Sequence, residues 1–214
     1  GCLVSLPRVY RHGIFQGLGH MDIHKDSCLL RFASVHKSLA PKWVLHVVAW
    51  SECQRCPLGR QATNHVLGRG EIPADIFFLG EAPGISEDCL GKPFMGPAGE
   101  VFGSLVAAAR HKSPPFSWFV SNILACFPTG GREPSKEEAG VCSPRISELL
   151  EILNPKGMVL MGAVAKRFSP KVKIPFLKIA HPAAIARDDG ILFKRSLYSL
   201  IAFVNEQCRQ TATI

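Results

Sequence analysis

Hydrophobic residues are distributed along this chain in two alternating styles. Short, mostly apolar runs of three or four residues stop at or just before glycine or a polar residue: 76–79 before Gly80, 118–120 before Ser121 and Asn122, 158–161 before Gly162, and 176–179, with Lys178 inside it, shortly before His181 and Pro182. Runs of this length with no polar alternation are what strands buried on both faces look like. Between them lie longer segments whose apolar residues recur at three- and four-residue spacing. One runs from Pro97 to about Arg110 with Val101, Leu105 and Val106 on one side, and another from Phe193 to about Gln207. A third carries Ala139, Cys142, Ile146, Leu149, Leu150 and Leu153. It opens with the capping-box sequence Ser135-Lys136-Glu137-Glu138 and is expected to kink or restart at Pro144. Four short strands separated by helices predict a parallel four-stranded sheet in a three-layer α/β/α sandwich. Ahead of it, WVLHVVAW at 43–50 is apolar, and residues 57–73, with Gly59, Gly68, Gly70 and Pro73, read as loop.

In such a sheet, ligands bind beyond the carboxyl ends of the strands. Glu81, Asn122 and His181 each follow a strand end directly, so the pattern predicts that they converge on one rim. The densest of these junctions is residues 74–99, ADIFFLGEAPGISEDCLGKPFMGPAG, where a buried strand runs into a loop rich in glycine, proline and carboxylates.

Composition adjusts this picture in three respects. At 214 residues with 47% hydrophobic and 20% charged, the chain is long enough for one large core. The division expected is an N-terminal extension, 1–45, and one domain, 46–214. A formal charge of +8 suits a polyanion such as nucleic acid, although a solvated basic surface explains the same number. Residues 166–178 concentrate five basic residues and no acid, and phosphate contacts are expected there. The longest apolar run, 157–165, is too short to span a membrane, and no membrane partner is expected.

Eight cysteines in a chain of this length, two of them as C-x-x-C, favour a metal or cluster in a reducing, cytoplasmic compartment over a disulfide scaffold. Cys53 and Cys56 form one pair, Cys126 and Cys142 a wider one. Thiolates two residues apart can grip a single metal or two corners of an iron–sulfur cluster, and a redox dithiol has the same spacing. Cys2, Cys28, Cys89 and Cys208 have no such partners and read as incidental or buried thiols.

GEAPGISEDCLGKPFMGPAG at 80–99, VSNILACFPTGGREP at 120–134 and HPAAI at 181–185 together resemble the family 4 uracil-DNA glycosylases, iron–sulfur members of the uracil-DNA glycosylase superfamily. The resemblance covers about residues 51–185. It implies a monofunctional enzyme, without a lysine nucleophile, that flips uracil out of DNA and hydrolyses its N-glycosidic bond. It implies a 4Fe-4S cluster on Cys53, Cys56, Cys126 and Cys142, and uracil-containing DNA, single- or double-stranded, as partner of a monomeric protein. Phe94 matches the stacking platform for the flipped base, and Asn122 reads the uracil edge with one acceptor and one donor. His181 matches the donor to uracil O2, while Gly80 and Ala82 line the base. Glu81 and Glu87 are the candidates for placing water, and Ile185 and Arg187 for touching DNA where the base has left. The chain departs from the family pattern at Ala125, where a basic residue is usual, and at Gly131, where an Asn stands in many members. It lacks the basic insertion of the subgroup that traps DNA covalently. A non-enzymatic DNA-binding module of the same fold is the alternative reading, and an iron–sulfur electron carrier ranks last.

Overall fold

The computed structural model describes residues 40–209, so most of the expected extension at 1–45 lies outside the described residues. At the centre is a five-stranded sheet. Its parallel strands are β2 (Ile76–Gly80), β3 (Trp118–Asn122), β4 (Gly157–Met161) and β5 (Phe176–Ile179), with a two-residue strand, β1 (Arg69–Gly70), antiparallel on the edge. The spatial order is β1-β3-β2-β4-β5. The four strands expected from the apolar runs are therefore present and parallel. β1 is a correction to the loop expected at 57–73, which also contains a short helix, α2 (Pro57–Gln61). Two residues, one of them glycine, give no alternation to read.

Strand geometry sends successive side chains to opposite faces, and the two cores follow that rule. Phe77, Leu79, Phe119, Met158 and Leu160 face a layer built from α1 (Ala40–Trp50), α2, α5 (Lys136–Leu153) and α6 (Gly162–Phe168). Ile76, Phe78, Val120, Val159, Met161 and Ile179 face α4 (Pro97–Lys112) and α8 (Ile191–Arg209). Two further short helices, α3 (Ile85–Leu90) and α7 (Pro182–Ile185), follow β2 and β5 and stand at the carboxyl rim. The α/β/α sandwich is thus formed by helices on both faces of a mostly parallel sheet.

Helix boundaries follow local chemistry. The Ser135 hydroxyl accepts from the Glu138 N–H at 3.2 Å, and the Glu138 carboxylate accepts from the Ser135 N–H at 2.9 Å, closing the capping box at the start of α5. α5 continues through Pro144 as one helix, so the chain does not restart there. Pro144 and Gly140, whose carbonyl it leaves without a donor, both lie on the outer side of the helix, where water can satisfy that group. The apolar stretch at 43–50 is α1, which crosses the expected boundary at 45/46 and docks on α5. Glu148 receives Nδ1 of His46 at 2.9 Å and the Trp50 indole N–H at 2.7 Å, and Trp43 packs edge-on against Phe119 at 5.6 Å.

At the opposite end of β2 from the rim, Asp75 joins the strand to its neighbours. It accepts from the Ser117 N–H and hydroxyl, each at 2.8 Å, and pairs with Lys156 at 2.8 Å. Burial pushes the Asp75 carboxyl up, but the Lys156 and Ser117 hydrogen bonds outweigh it and hold the pKa below its ordinary value. A depressed carboxyl pKa contributes stability that is present above the unfolded value and is lost as pH falls through the folded one. Asp75→Asn is therefore expected to lower the melting temperature at neutral pH and to make it less sensitive to acid below about pH 4. Thermal melts from pH 3 to pH 7 check this; parallel curves for the two proteins would contradict it.

Candidate active site

The carboxyl ends of β2, β3 and β5 open into one cavity of about 480 Å3. Glu81, Asn122 and His181 all line it, together with Ala82, Glu87, Phe94 and Arg187, so the rim expected from the strand ends exists. Gly80 is adjacent but does not line it. A side chain on Gly80 would run into Asn122 Oδ1 and meet the Phe94 ring at 2.8 Å, so a bare backbone at this position leaves the floor open.

Asn122 is 2% exposed, and its Oδ1 is buried without a hydrogen-bond partner among the described residues. An unmet buried acceptor costs about 1–3 kcal/mol, so one on a residue that lines a cavity is open to a ligand donor. The Phe94 ring lies 6.3 Å from the His181 ring at an interplanar angle of 34°. Phe94 adopts φ +55, a left-handed conformation that bulky residues rarely take. The surroundings enforce it. Arg69 donates from Nε to the Pro93 carbonyl at 2.9 Å and from Nη2 to the Phe94 carbonyl at 3.2 Å. On the other side a Cβ on Gly99 would collide with the Phe94 carbonyl, so Gly99 permits that close approach.

His181 caps α7: its Nδ1 accepts the Ala183 N–H at 3.2 Å. With Nδ1 as acceptor, the neutral ring carries its proton on Nε2 and is a donor there. Burial first, and the charge of Arg187 second, hold the His181 pKa below its ordinary value, which keeps the ring neutral.

The carboxylates divide their tasks. Both oxygens of Glu87 are occupied by backbone, with Oε2 receiving Gly84 N–H at 3.0 Å and Oε1 receiving Met95 and Gly96 N–H at 2.9 and 3.1 Å. Glu87 thus braces the loop that carries Phe94. Glu81 is half-buried, and its pKa is raised by burial and then by the charge of Glu133, with Arg167 opposing. Asp88 is also committed to backbone, at Thr63 and Asn64.

Two expected DNA contacts separate. Arg187 is exposed at the cavity mouth, whereas Ile185 is a correction: it is 4% exposed, turned into the protein as α7 packs on α4, and presents no surface to a duplex. Arg132, held by Glu138 through bonds of 2.9 and 2.6 Å, lines the cavity and was not anticipated, although it stands inside the GGREP segment. Gly131 lies at the same wall with φ +69 and nothing within 4 Å of where a side chain would start.

On the α1/α5 side, Cys53 and Cys56 sit between α1 and α2, Cys126 follows β3, and Cys142 lies in α5. All four are free thiols; Cys53 is half-buried and the rest buried. The Cys126 thiol is pushed up to about 12, by burial first and then by the neighbouring Cys142, Cys56 and Cys53. Among the described residues no group of three or more His, Cys, Asp or Glu closes around one point tightly enough to hold a single metal ion. The loop is packed firmly, since His65 donates to the Cys53 carbonyl at 2.8 Å and a side chain on Gly59 would strike that carbonyl. Cys89 is exposed and Cys208 half-buried; Cys2 and Cys28 lie outside the described residues.

A mostly parallel sheet covered on both faces, with a cavity at its carboxyl rim walled by an aromatic ring, a buried amide and an imidazole, defines a doubly covered α/β protein with its site at the strand ends. The chain belongs to the uracil DNA glycosylase superfamily, whose profile matches residues 67–201, more than half of the sequence. It is similar to the type-4 uracil-DNA glycosylases of Archaeoglobus fulgidus (35% identity over 116 residues, 54% of this chain and 57% of the relative) and Pyrobaculum aerophilum (34% over 115 residues, 54% and 58%). That of Thermotoga maritima is 35% identical over 117 residues, 55% of this chain and 60% of the relative. The chain spans about half the length of the curated relatives it matches. Among the described residues no helix is long and apolar enough to cross a membrane.

The Arg187 charge yields a measurable consequence. Arg187→Ala removes a cation that disfavours the imidazolium, so the His181 pKa is expected to rise while burial keeps it below the ordinary histidine value. An NMR titration of the imidazole resonances reads it; an unchanged or lower pKa would contradict the assignment of cause.

Proposed function

We propose that this protein is a monofunctional uracil-DNA glycosylase that hydrolyses the N-glycosidic bond of uracil after the nucleotide has turned out of the DNA. The observation that carries this reading is the buried Asn122 amide, whose Oδ1 has no partner among the described residues and which stands in the wall of a cavity also lined by Phe94 and His181. Turning a base out costs a few kcal/mol of stacking, and the Phe94 face replaces part of that loss. Asn122 Oδ1 accepts uracil N3–H while its Nδ2 donates to O4. Cytosine offers the reverse order, and the mismatch leaves buried polar groups unpaired.

Bond cleavage places negative charge on the departing uracil and positive character on the sugar. His181 Nε2–H donates to uracil O2 and stabilises that charge as it develops, a role that needs the neutral ring with its proton on Nε2. Glu81 orients water toward the sugar. Glu87, with both oxygens bound to backbone, keeps the loop with Gly80, Ala82 and Phe94 in place and does not meet the water. No lysine lines the cavity among the described residues, which supports hydrolysis over a Schiff-base route.

The cluster belongs to the same proposal. Cys142, Cys56 and Cys53 lie near enough to Cys126 to raise its pKa, and four thiols are the donor set that a 4Fe-4S cluster takes. Cys53, Cys56, Cys126 and Cys142 would hold it, and when bound it would cross-link α1, α5 and the segment after β3. Arg187 and the basic residues of 166–178 would contact phosphate. Of these, Arg167 pairs with Glu133 at 2.7 Å, and Lys166 stands 5.3 Å from the exposed Phe176 ring. The division at residues 1–45 and 46–214 and the monomeric state are part of the proposal.

Release of uracil from a uracil-containing oligonucleotide, followed by cleavage of the abasic strand, tests the activity. Asn122→Asp and His181→Ala are each expected to lower kcat about 10²–10³-fold with the fold intact. Tight uracil-independent DNA binding with no release would favour the non-enzymatic module, the reading to which Gly131 lends weight. Iron and acid-labile sulfide should accompany the protein and disappear in Cys142→Ser.

Excision should rise with pH as Glu81 ionises, above the usual carboxylate range. Glu81→Gln should flatten that limb. Arg167→Ala should move it to higher pH, because it removes a cation that favours the carboxylate and releases the charge of Glu133. A pH–rate profile checks both shifts.

DNA affinity should fall steeply with salt. Lys171→Glu together with Lys173→Glu should reduce the slope of log K against log salt by about one for each phosphate that is no longer neutralised. An unchanged slope would remove this segment from the DNA footprint.

A further inference from the structure

Arg145 is buried completely, at 0% exposure, in the middle of α5 and three residues beyond Cys142. A guanidinium keeps its charge inside proteins, and a buried charge without compensation is costly. Among the described residues no carboxylate forms an ion pair with it. Its hydrogen bonds go instead to the turn that leaves the sheet at Asn122. Nη1 donates to the Leu67 carbonyl at 3.1 Å and to the Ser121 hydroxyl at 3.0 Å, and Nη2 donates to the Asn122 carbonyl and to that of Ile123 at 3.3 Å. Cys142 lies one helical turn before Arg145 on α5, and Cys126 lies four residues after Asn122 on the segment that the fork holds. Nε–H has no acceptor among the described residues.

We propose that Arg145 is a positioning residue that couples the cysteine clasp to the uracil-reading turn. Its fork holds the carbonyls of Asn122 and Ile123 from α5, the helix that also carries Cys142, while Cys126 follows the same turn. The arrangement has a directional consequence. A cluster held by Cys126 and Cys142 would tie the segment after β3 to α5, and the fork of Arg145 then stays on the turn. With the clasp empty, the fork alone holds that segment to α5 and the turn loosens. The cluster then acts on base recognition through a side chain, without touching substrate. This inference rests on the cluster and glycosylase readings above, and it concerns a residue that never meets DNA.

Hydrogen exchange of two backbone amides provides a readout that needs no substrate. Ile123 N–H donates to the Gly80 carbonyl at 2.9 Å and Leu124 N–H to the Glu81 carbonyl at 3.1 Å, so both report whether the turn remains seated on β2. In iron-loaded protein, Arg145→Met is expected to accelerate exchange at these amides by up to about tenfold. Removing iron from the unmodified protein should do the same. Arg145→Lys keeps the charge and loses the fork, so it should retain iron yet show the faster exchange. It therefore carries the test if the Met variant does not fold. In the uracil-release assay Arg145→Lys should lower kcat by about 10–100-fold with KM nearly unchanged.

Exchange at Ile123 and Leu124 that is unaltered in a folded Arg145→Lys protein would overturn the positioning role. Exchange that is unaltered by iron removal would overturn the coupling. If the unmodified protein releases no uracil, the proposed function fails, but the exchange comparison still decides the role of Arg145.

Discussion

The site depends on how closely the end of β2 approaches its neighbours. At Gly80 the backbone passes the Asn122 amide and the Phe94 ring with room for a hydrogen and nothing larger. That contact sets the depth of the cavity, because the amide and the ring become its walls only while the strand end between them has no side chain. Several costs are accepted to preserve it. Phe94 is held at a left-handed φ by two bonds from Arg69, Gly99 yields space to the Phe94 carbonyl, and Glu87 uses both carboxylate oxygens on backbone amides of the same loop. A fully buried acceptor on Asn122 is left unmet at the centre, among the described residues.

Much of this was legible in the order of residues. The buried strands announce themselves as short apolar runs because a parallel sheet covered on both faces tolerates no polar alternation. The polar residue that ends each run must then appear at the rim, which is why Glu81, Asn122 and His181 could be grouped from the chain alone. Features that depend on side-chain direction were not legible. Ile185 looked like a wedge from its place after His181, yet α7 turns it inward. Glu81 and Glu87 looked equivalent as carboxylates in one loop, and only the backbone amides around Glu87 separate them. Arg145 left a faint trace. It occupies a buried position of α5, between Cys142 and Ile146, where an apolar residue is expected, and a charge there calls for a partner. β1 left none, since two residues carry no period.

The two carboxylates show how a short loop assigns different work to similar groups. Glu87 meets three N–H donors, which tie up the oxygens that a water would need. Glu81, one residue past β2, meets none of these and is half-buried beside Glu133, so its proton is harder to remove. Environment and not residue type distinguishes a brace from a candidate base.

The edges of the sheet have a consequence of a different kind. Unpaired edge strands are templates on which other chains can assemble, and proteins blunt them with brevity and with lysine. Here one edge ends in the two residues of β1, and the other in β5, four residues long, with Lys178 exposed among them. The sheet thus offers little purchase to an incoming strand at either side. That limits growth into fibres, and it fits a molecule whose intended contacts lie at the ends of its strands and not along their flanks.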